Sequence, residues 1–374
     1  MRKTNENVWG VIELTTTLGI FADKPSASTK MAIVNANLAH HLCRMTDELR
    51  VIYFARFGQD SGFAKMGLPH DGYEVVNCKG GVWKSALVKE IIQHYKVDIV
   101  YSGDDWFNAS GLVKATKQTK TPFYFLSPID SLPIQNEAHK IFKECKKVFV
   151  PNRSYQYIPN GIYLPYAVDW MIFKPVHQKM FDEFTFLWIG RNEPRKNLNA
   201  TILAFEKIHK KYDCKLVIRS DWTMDYLKDI KDYILNQKLP ILMDAMVDYS
   251  FEQLAHFYSS FHAYICSAKA SEFEMEILEA NACALPTLVT DWTFMNENVK
   301  NGETGFLIPT ESHDVRPNGT IWGNISIDQL AKQMAWMLEN QNKAGEMGID
   351  GLFWIRENSW QTVAETLFDN IIEN

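Results

Sequence analysis

The chain is 374 residues long, with 46% hydrophobic, 13% aromatic and 22% charged residues, enough apolar material for two domains and too much for a disordered chain. Its 39 Lys and Arg stand against 45 Asp and Glu, a net charge of −6, which argues against a protein that lives on nucleic acid. No run approaches the roughly 18 consecutive apolar residues of a membrane span. Met1 to Asn7 lead into a strand-like segment without the apolar block of a signal peptide, so a soluble cytoplasmic protein is expected, with room for peripheral membrane contact. Six cysteines are scattered without C-x-x-C, and ten histidines show no zinc-type spacing. Free thiols are the expected state.

In chain order, strands are expected over Val8 to Thr15, Leu49 to Phe54, Asp98 to Tyr101, Phe123 to Leu126 and Lys147 to Val150. Helices are expected between them, over Lys30 to Arg44, Trp83 to Tyr95, Trp106 to Gln118 and Glu137 to Glu144. Alternation of this kind implies parallel strands joined by helical crossovers, in a doubly wound α/β sheet. Between Pro151 and Pro175 four prolines interrupt the pattern, and an irregular connection is expected there. The alternation restarts with strands over Phe184 to Ile189, Cys214 to Arg219, Ala263 to Cys266 and Pro286 to Thr290. Helices are expected over Asn197 to Lys210, Met224 to Leu235, Phe251 to Ser260 and Met275 to Ala284. The chain should close with three more, over Ile327 to Leu338, Ala344 to Asn358 and Trp360 to Ile372. Two α/β domains of similar size follow, residues 1–170 and 171–358, with a hinge near 165–180 and a terminal segment 359–374.

The strongest local signal is Phe186-Leu-Trp-Ile-Gly-Arg-Asn-Glu-Pro-Arg-Lys-Asn197. A buried strand ends in Gly190, and two cations, Arg191 and Lys196, follow at the mouth of a helix. Ligands of open α/β sheets sit beyond the carboxyl ends of the strands, and cations beside a helix start make an anion site. The plainer alternative is a surface loop with solvated charges. No G-x-G-x-x-G follows the first strand, so a nicotinamide dinucleotide fold is not supported. A second signal is Ser271-Glu-Phe-Glu-Met-Glu-Ile-Leu-Glu279, with four carboxylates around a helix start. Acids there are favoured by the helix dipole, so a solvated acidic turn explains most of them. Glu279 lies inside an otherwise apolar helix before a strand and is harder to dismiss.

Four motifs in order resemble the retaining nucleotide-sugar glycosyltransferases of GT-B architecture, in particular family 4, the glycosyl transferases group 1. They are Ala167-Val-Asp-Trp-Met-Ile-Phe-Lys-Pro175, Gly190 to Asn197, Ser271 to Pro286 and Asn301-Gly-Glu-Thr-Gly-Phe-Leu307. The resemblance implies two Rossmann-like domains across a cleft, the donor held by the second and the terminal helix crossing back to the first. Arg191 and Lys196 would then neutralise the donor diphosphate and serve catalysis, with Gly190 giving room. Glu279 would accept from ribose hydroxyls. The loop and helix start at Glu272, Phe273, Glu274, Met275, Ile277 and Leu278 would bring backbone N–H groups to sugar and phosphates. Neither D-x-D nor another metal motif is present, so no metal or cofactor is expected beyond the nucleoside diphosphate-sugar itself. The acceptor, whether glycan, lipid, protein or small molecule, is not specified.

The sequence also departs from the family pattern. Ser271 stands where the family has its first glutamate, while Glu272 and Glu274 replace glycines. The histidine usual after the strand Phe123 to Leu126 is missing, which leaves Lys30, Asp104, Asp105 and Asp130 as polar candidates on the acceptor side. Asp105 also reads as a simple helix cap. Arg195 is assigned to solvent. A catalytically degenerate relative that binds a nucleotide sugar or a partner without turnover is the alternative reading.

Overall fold

The computed structural model describes residues 15–25, 29–56, 72–78, 80–176, 179–220, 226–245 and 249–372. The first sheet is built from β1 (Thr16–Asp23), β2 (Leu49–Arg56), β3 (Glu74–Asn77), β4 (Ile99–Gly103), β5 (Phe123–Leu126), β6 (Lys147–Val150) and β7 (Gly161–Tyr163). Its order is β3-β2-β1-β4-β5-β6-β7, and every pairing is parallel. Crossovers are made by α1 (Lys30–Leu42), α2 (Ser85–Tyr95), α3 (Ser110–Thr119) and α4 (Asn136–Phe142). Strands such as Ile-Val-Tyr-Ser-Gly103 are buried along their length, as a parallel sheet covered on both faces requires.

The second sheet contains β8 (Phe184–Ile189), β9 (Cys214–Ser220), β10 (Ile241–Ala245), β11 (Ala263–Cys266), β12 (Thr287–Thr290) and β13 (Gly305–Ile308). It is parallel in the order β10-β9-β8-β11-β12-β13. Its helices are α5 (Leu198–Ile208), α6 (Tyr226–Gln237), α7 (Phe251–Ser259), α8 (Met275–Ala282), α9 (Ile327–Glu339) and α10 (Gln341–Ile355), and a further helix, α11 (Trp360–Ile371), follows them in the chain. A separate antiparallel hairpin pairs β14 (Thr310–Val315) with β15 (Ile321–Ile325). The expected doubly wound α/β class is what forms, twice over. In each sheet the strand order reverses once beside the first strand, between β1 and β4 and between β8 and β11. Ligands of doubly wound sheets bind in the crevice at such a switch point.

A continuous core joins the halves. Tyr166, Phe173, Phe251 and Phe273 are buried in the same apolar cluster as Leu18 of the first sheet and Leu187 of the second. The Tyr166 and Phe273 rings meet at 4.9 Å, so the connecting segment is anchored to both units. Burial of an aromatic side chain of this size contributes about 1.5–3 kcal/mol. Helix α11 packs on α1, and Lys147 donates to Asn370 at 2.9 Å, so the chain's last helix lies against the first sheet's helical layer.

Several boundaries differ from those expected. The first strand lies over Thr16–Asp23 rather than Val8 to Thr15, and Val8 to Leu14 fall outside the described residues. The helix expected over Trp106 to Gln118 is broken into a 3-10 turn, Trp106–Asn108, and α3. The polar edge strand β3, the three-residue β7 and the hairpin β14–β15 are additions to the expected pattern, since none has an apolar run of its own.

Candidate functional site

The carboxyl edges of the two sheets enclose a cleft of about 1310 Å³. From the second sheet, Gly190, Arg191, Lys196, Glu272, Met275 and Glu279 line it. Strand β8 ends at Ile189, the chain turns, and a 3-10 turn Pro194–Lys196 leads into α5 through Asn197, whose φ of 54° is left-handed. A Cβ built at Gly190 would lie 3.6 Å from the Lys196 stem, so the glycine and the lysine are close neighbours at the strand end. Arg191 projects into the cleft with 64% of its side chain exposed, 3.9 Å from Glu193. Lys196 is the opposite. Its ammonium lies 2.6 Å from Glu274 and 3.6 Å from Glu276. Burial alone would lower its pKa, but those two carboxylates raise it above the ordinary lysine value.

Arg195 is not at the solvent side of the turn, contrary to expectation. It donates to the Ala270 carbonyl at 2.8 Å and lies 3.6 Å from Glu274. Arg191 stays in the open, while Arg195 and Lys196 converge on one buried carboxylate.

The loop before α8 splits the expected donor contacts. Glu272 and Met275 reach the cleft, whereas Phe273, Ile277 and Leu278 pack into the apolar core. Glu274 lies beneath the cleft floor at 1% exposure and caps α8 with left-handed φ 60°. Glu279, inside α8, accepts from the Tyr258 hydroxyl at 2.7 Å. Burial, reinforced by Glu276, pushes its carboxyl up to about 8. It is thus an acid that can hold its proton at neutral pH and donate as well as accept.

The first domain brings Lys30, Asp104, Asp105 and Asp130 to the same cleft. Lys30, in the first turn of α1, reaches Glu272 at 2.5 Å, and Asn152 donates to the Glu272 carbonyl at 2.7 Å. Asp104 is engaged, with Arg56 at 2.7 Å, the Asp105 amide at 2.7 Å and Asn108 at 3.0 Å. Asp130 accepts from Ser131 at 2.7 Å. Asp105 makes no side-chain cap bond to the turn it precedes. Burial, then Asp104, raises its carboxyl to about 6. Among the described residues, no three His, Cys, Asp or Glu side chains come together in a way that could hold a metal ion.

Residues that sequence reasoning passed over complete the walls. Arg56, at the end of β2, pairs with Asp23 at 2.6 Å; Arg219, at the end of β9, stacks on Tyr249 at 3.9 Å. Arg316, at the hairpin tip, lies 4.0 Å over Trp322. The hairpin is tied to the first domain by Ile321, whose amide donates to the Leu132 carbonyl at 3.0 Å. An arginine following an apolar run, Val51 to Ala55 before Arg56 and Leu216 to Ile218 before Arg219, was the readable signal for both.

Two facing doubly wound domains with polar switch points on one cleft define the GT-B architecture. Residues 172–351 match the family model described as glycosyl transferases group 1. Solved structures of the same fold include a glycosyltransferase from Rickettsia africae ESF-5 (TM-score 0.75, 15% identity, 96% of this chain and 99% of that one). Another is HepE of Anabaena in complex with UDP and glucose (TM-score 0.75, 14% identity, 96% and 100% covered). Among curated proteins, the capsular polysaccharide biosynthesis glycosyltransferase CapM of Staphylococcus aureus is 25% identical over 35% of this chain. That match spans 34%, about a third, of CapM's own length. An uncharacterized glycosyltransferase of Methanocaldococcus jannaschii is 24% identical over 72% of this chain and 70% of its own.

Proposed function

We propose that this protein transfers a sugar from a nucleoside diphosphate-sugar to an acceptor hydroxyl, with retention of anomeric configuration and without a metal ion. The observation that carries this reading is the meeting of Gly190, Arg191, Lys196 and Glu279 on one wall of the cleft, at the second sheet's switch point. Arg191 is the cation best placed to meet a diphosphate, because its side chain is open to the cleft. Charge that develops on a departing diphosphate is stabilised by such a group more in the transition state than in the ground state. Glu279 suits the ribose hydroxyls, and Asp105 and Asp130 on the opposite wall suit an acceptor's hydroxyls. The UDP bound to HepE, a protein of the same fold, supports a nucleotide as the donor's handle. Retention rests on the family resemblance.

A second reading has its own observation. Lys196 is already paired with Glu274 and Glu276, as it would be in a relative that binds a nucleotide sugar without turning it over. Incubation with a panel of UDP-, GDP- and ADP-sugars, followed by proton NMR of the anomeric region, separates the two. Slow donor hydrolysis that releases the retained anomer supports transfer; binding without hydrolysis supports the second reading; no binding of any nucleotide contradicts both.

A further inference from the structure

The charges around Lys196 cancel. Lys30, Arg195 and Lys196 supply three positive charges, and Glu272, Glu274 and Glu276 three negative ones, in two adjacent ion-pair groups, Lys30 with Glu272 and the other four together, that interact electrostatically with each other. Glu274 is the centre of the larger group. It contacts Lys196 at 2.6 Å and Arg195 at 3.6 Å, and its own side chain is buried and does not line the cleft. Its backbone is left-handed, φ 60° and ψ 80°, a conformation that a residue bearing a Cβ seldom adopts. Burial opposes its ionisation, yet the charges of Lys196, Lys30 and Arg195 hold its carboxyl well below the usual range. A buried, ionised carboxylate in strained backbone persists only where its surroundings fix it firmly.

We propose that Glu274 is an internal counter-anion that sets the phosphate affinity of the cleft. By neutralising Lys196 and Arg195 from below, it withholds their charge from an incoming phosphate and leaves Arg191 as the principal cation for it. This rests on the reading of the cleft as a donor diphosphate site. The consequence is a site that recognises its donor chiefly through nucleoside and sugar and releases the diphosphate product readily. Removal of the carboxylate, with the lysine and arginine left in place, should convert the floor into a strong anion site.

Inorganic pyrophosphate is the probe, because it carries the phosphate charge without a nucleoside. Calorimetric titration of wild type, Glu274→Gln and Glu274→Gly, each checked for native circular dichroism, compares a variant that keeps the side chain's shape with one that suits the left-handed backbone. Pyrophosphate should bind about tenfold or more tightly to whichever variants fold, with a steeper loss of affinity on adding salt, since charge-assisted contacts are the strong ones and exposed ones are screened. Unchanged or weaker pyrophosphate binding in the folded variants overturns the proposal. Parallel titration with UDP, GDP and ADP keeps the two inferences apart. Tighter pyrophosphate binding with no nucleotide bound by any form leaves the role of Glu274 standing and removes the nucleotide-donor reading. Nucleotide binding by wild type with no gain in pyrophosphate affinity does the reverse.

Discussion

Lys30 and Glu272 meet at 2.5 Å across the cleft, one from the first helix of the N-terminal domain and the other from the loop that begins the C-terminal domain's α8. Asn152 holds the backbone of the same glutamate, so the first domain grips this loop by side chain and main chain together. Closure about the segment Tyr163 to Val176 would make or break these contacts. Lys30→Ala is expected to enlarge the radius of gyration in small-angle scattering, and a nucleoside diphosphate to contract it again. Superimposable curves for wild type and variant, with and without ligand at saturation, would count against domain closure.

Glu279 makes stability depend on pH in a direction opposite to most acids. Its folded pKa, raised to about 8 by burial and then Glu276, exceeds the ordinary 4.5. The folded state therefore binds the extra proton between those values, and the contribution is complete below the unfolded pKa and lost as pH rises through the folded one. The slope is at most about 1.4 kcal/mol per pH unit. Urea denaturation of Glu279→Gln from pH 5 to 9 should show a flatter profile than wild type, with the variant gaining relative stability toward pH 9. Parallel profiles would mean that Glu279 is ionised throughout.

Gly111 is required by packing. A Cβ there would stand 1.6 Å from the Trp83 carbonyl oxygen, a backbone atom that cannot swing away. Gly111→Ala should cost roughly 3 kcal/mol or more, at the upper end of overpacking effects. Chemical denaturation measures it, and a midpoint equal to wild type would show that α2 and α3 separate freely at this contact.

Much of this was legible in the sequence because it depends on local pattern. Apolar strands such as Phe184–Ile189 and the return of α/β alternation after the prolines fix two parallel sheets, and Gly190 with its cations marks a strand end. Glu279 stood out as a charge in an apolar helix. What the sequence withheld depends on direction and on distant partners. Nothing local distinguishes Arg195 from Lys196, and both meet Glu274 only because a loop nearly eighty positions later folds beneath them. The hairpin β14–β15 was invisible because Thr-Glu-Ser-His-Asp-Val has no apolar alternation; among the described residues its strands form a two-stranded sheet of their own, and the tilted rings of Trp292 and His313 meet at 4.2 Å to hold it. The corrected position of Arg195 also disqualifies it as a solvent-exposed control for mutagenesis. Lys332, exposed on α9 and outside the cleft, is a suitable one.

The most direct test is calorimetric titration with UDP, GDP and ADP in buffer containing EDTA, on wild type, Arg191→Ala, Lys196→Ala and Lys332→Ala. At least one nucleotide should bind wild type and Lys332→Ala equally despite the chelator, and Arg191→Ala should lose about tenfold or more in affinity, as for a charged hydrogen bond. Turnover with the matching sugar donor should fall further in that variant, by about 10²–10³, the usual loss on removing an electrostatic donor to a developing charge. Lys196→Ala should weaken nucleotide binding less than Arg191→Ala, since its charge is already met by Glu274. Nucleotide binding that vanishes with EDTA, or that is untouched in Arg191→Ala and Lys196→Ala alike, would contradict a metal-free diphosphate site at the end of β8.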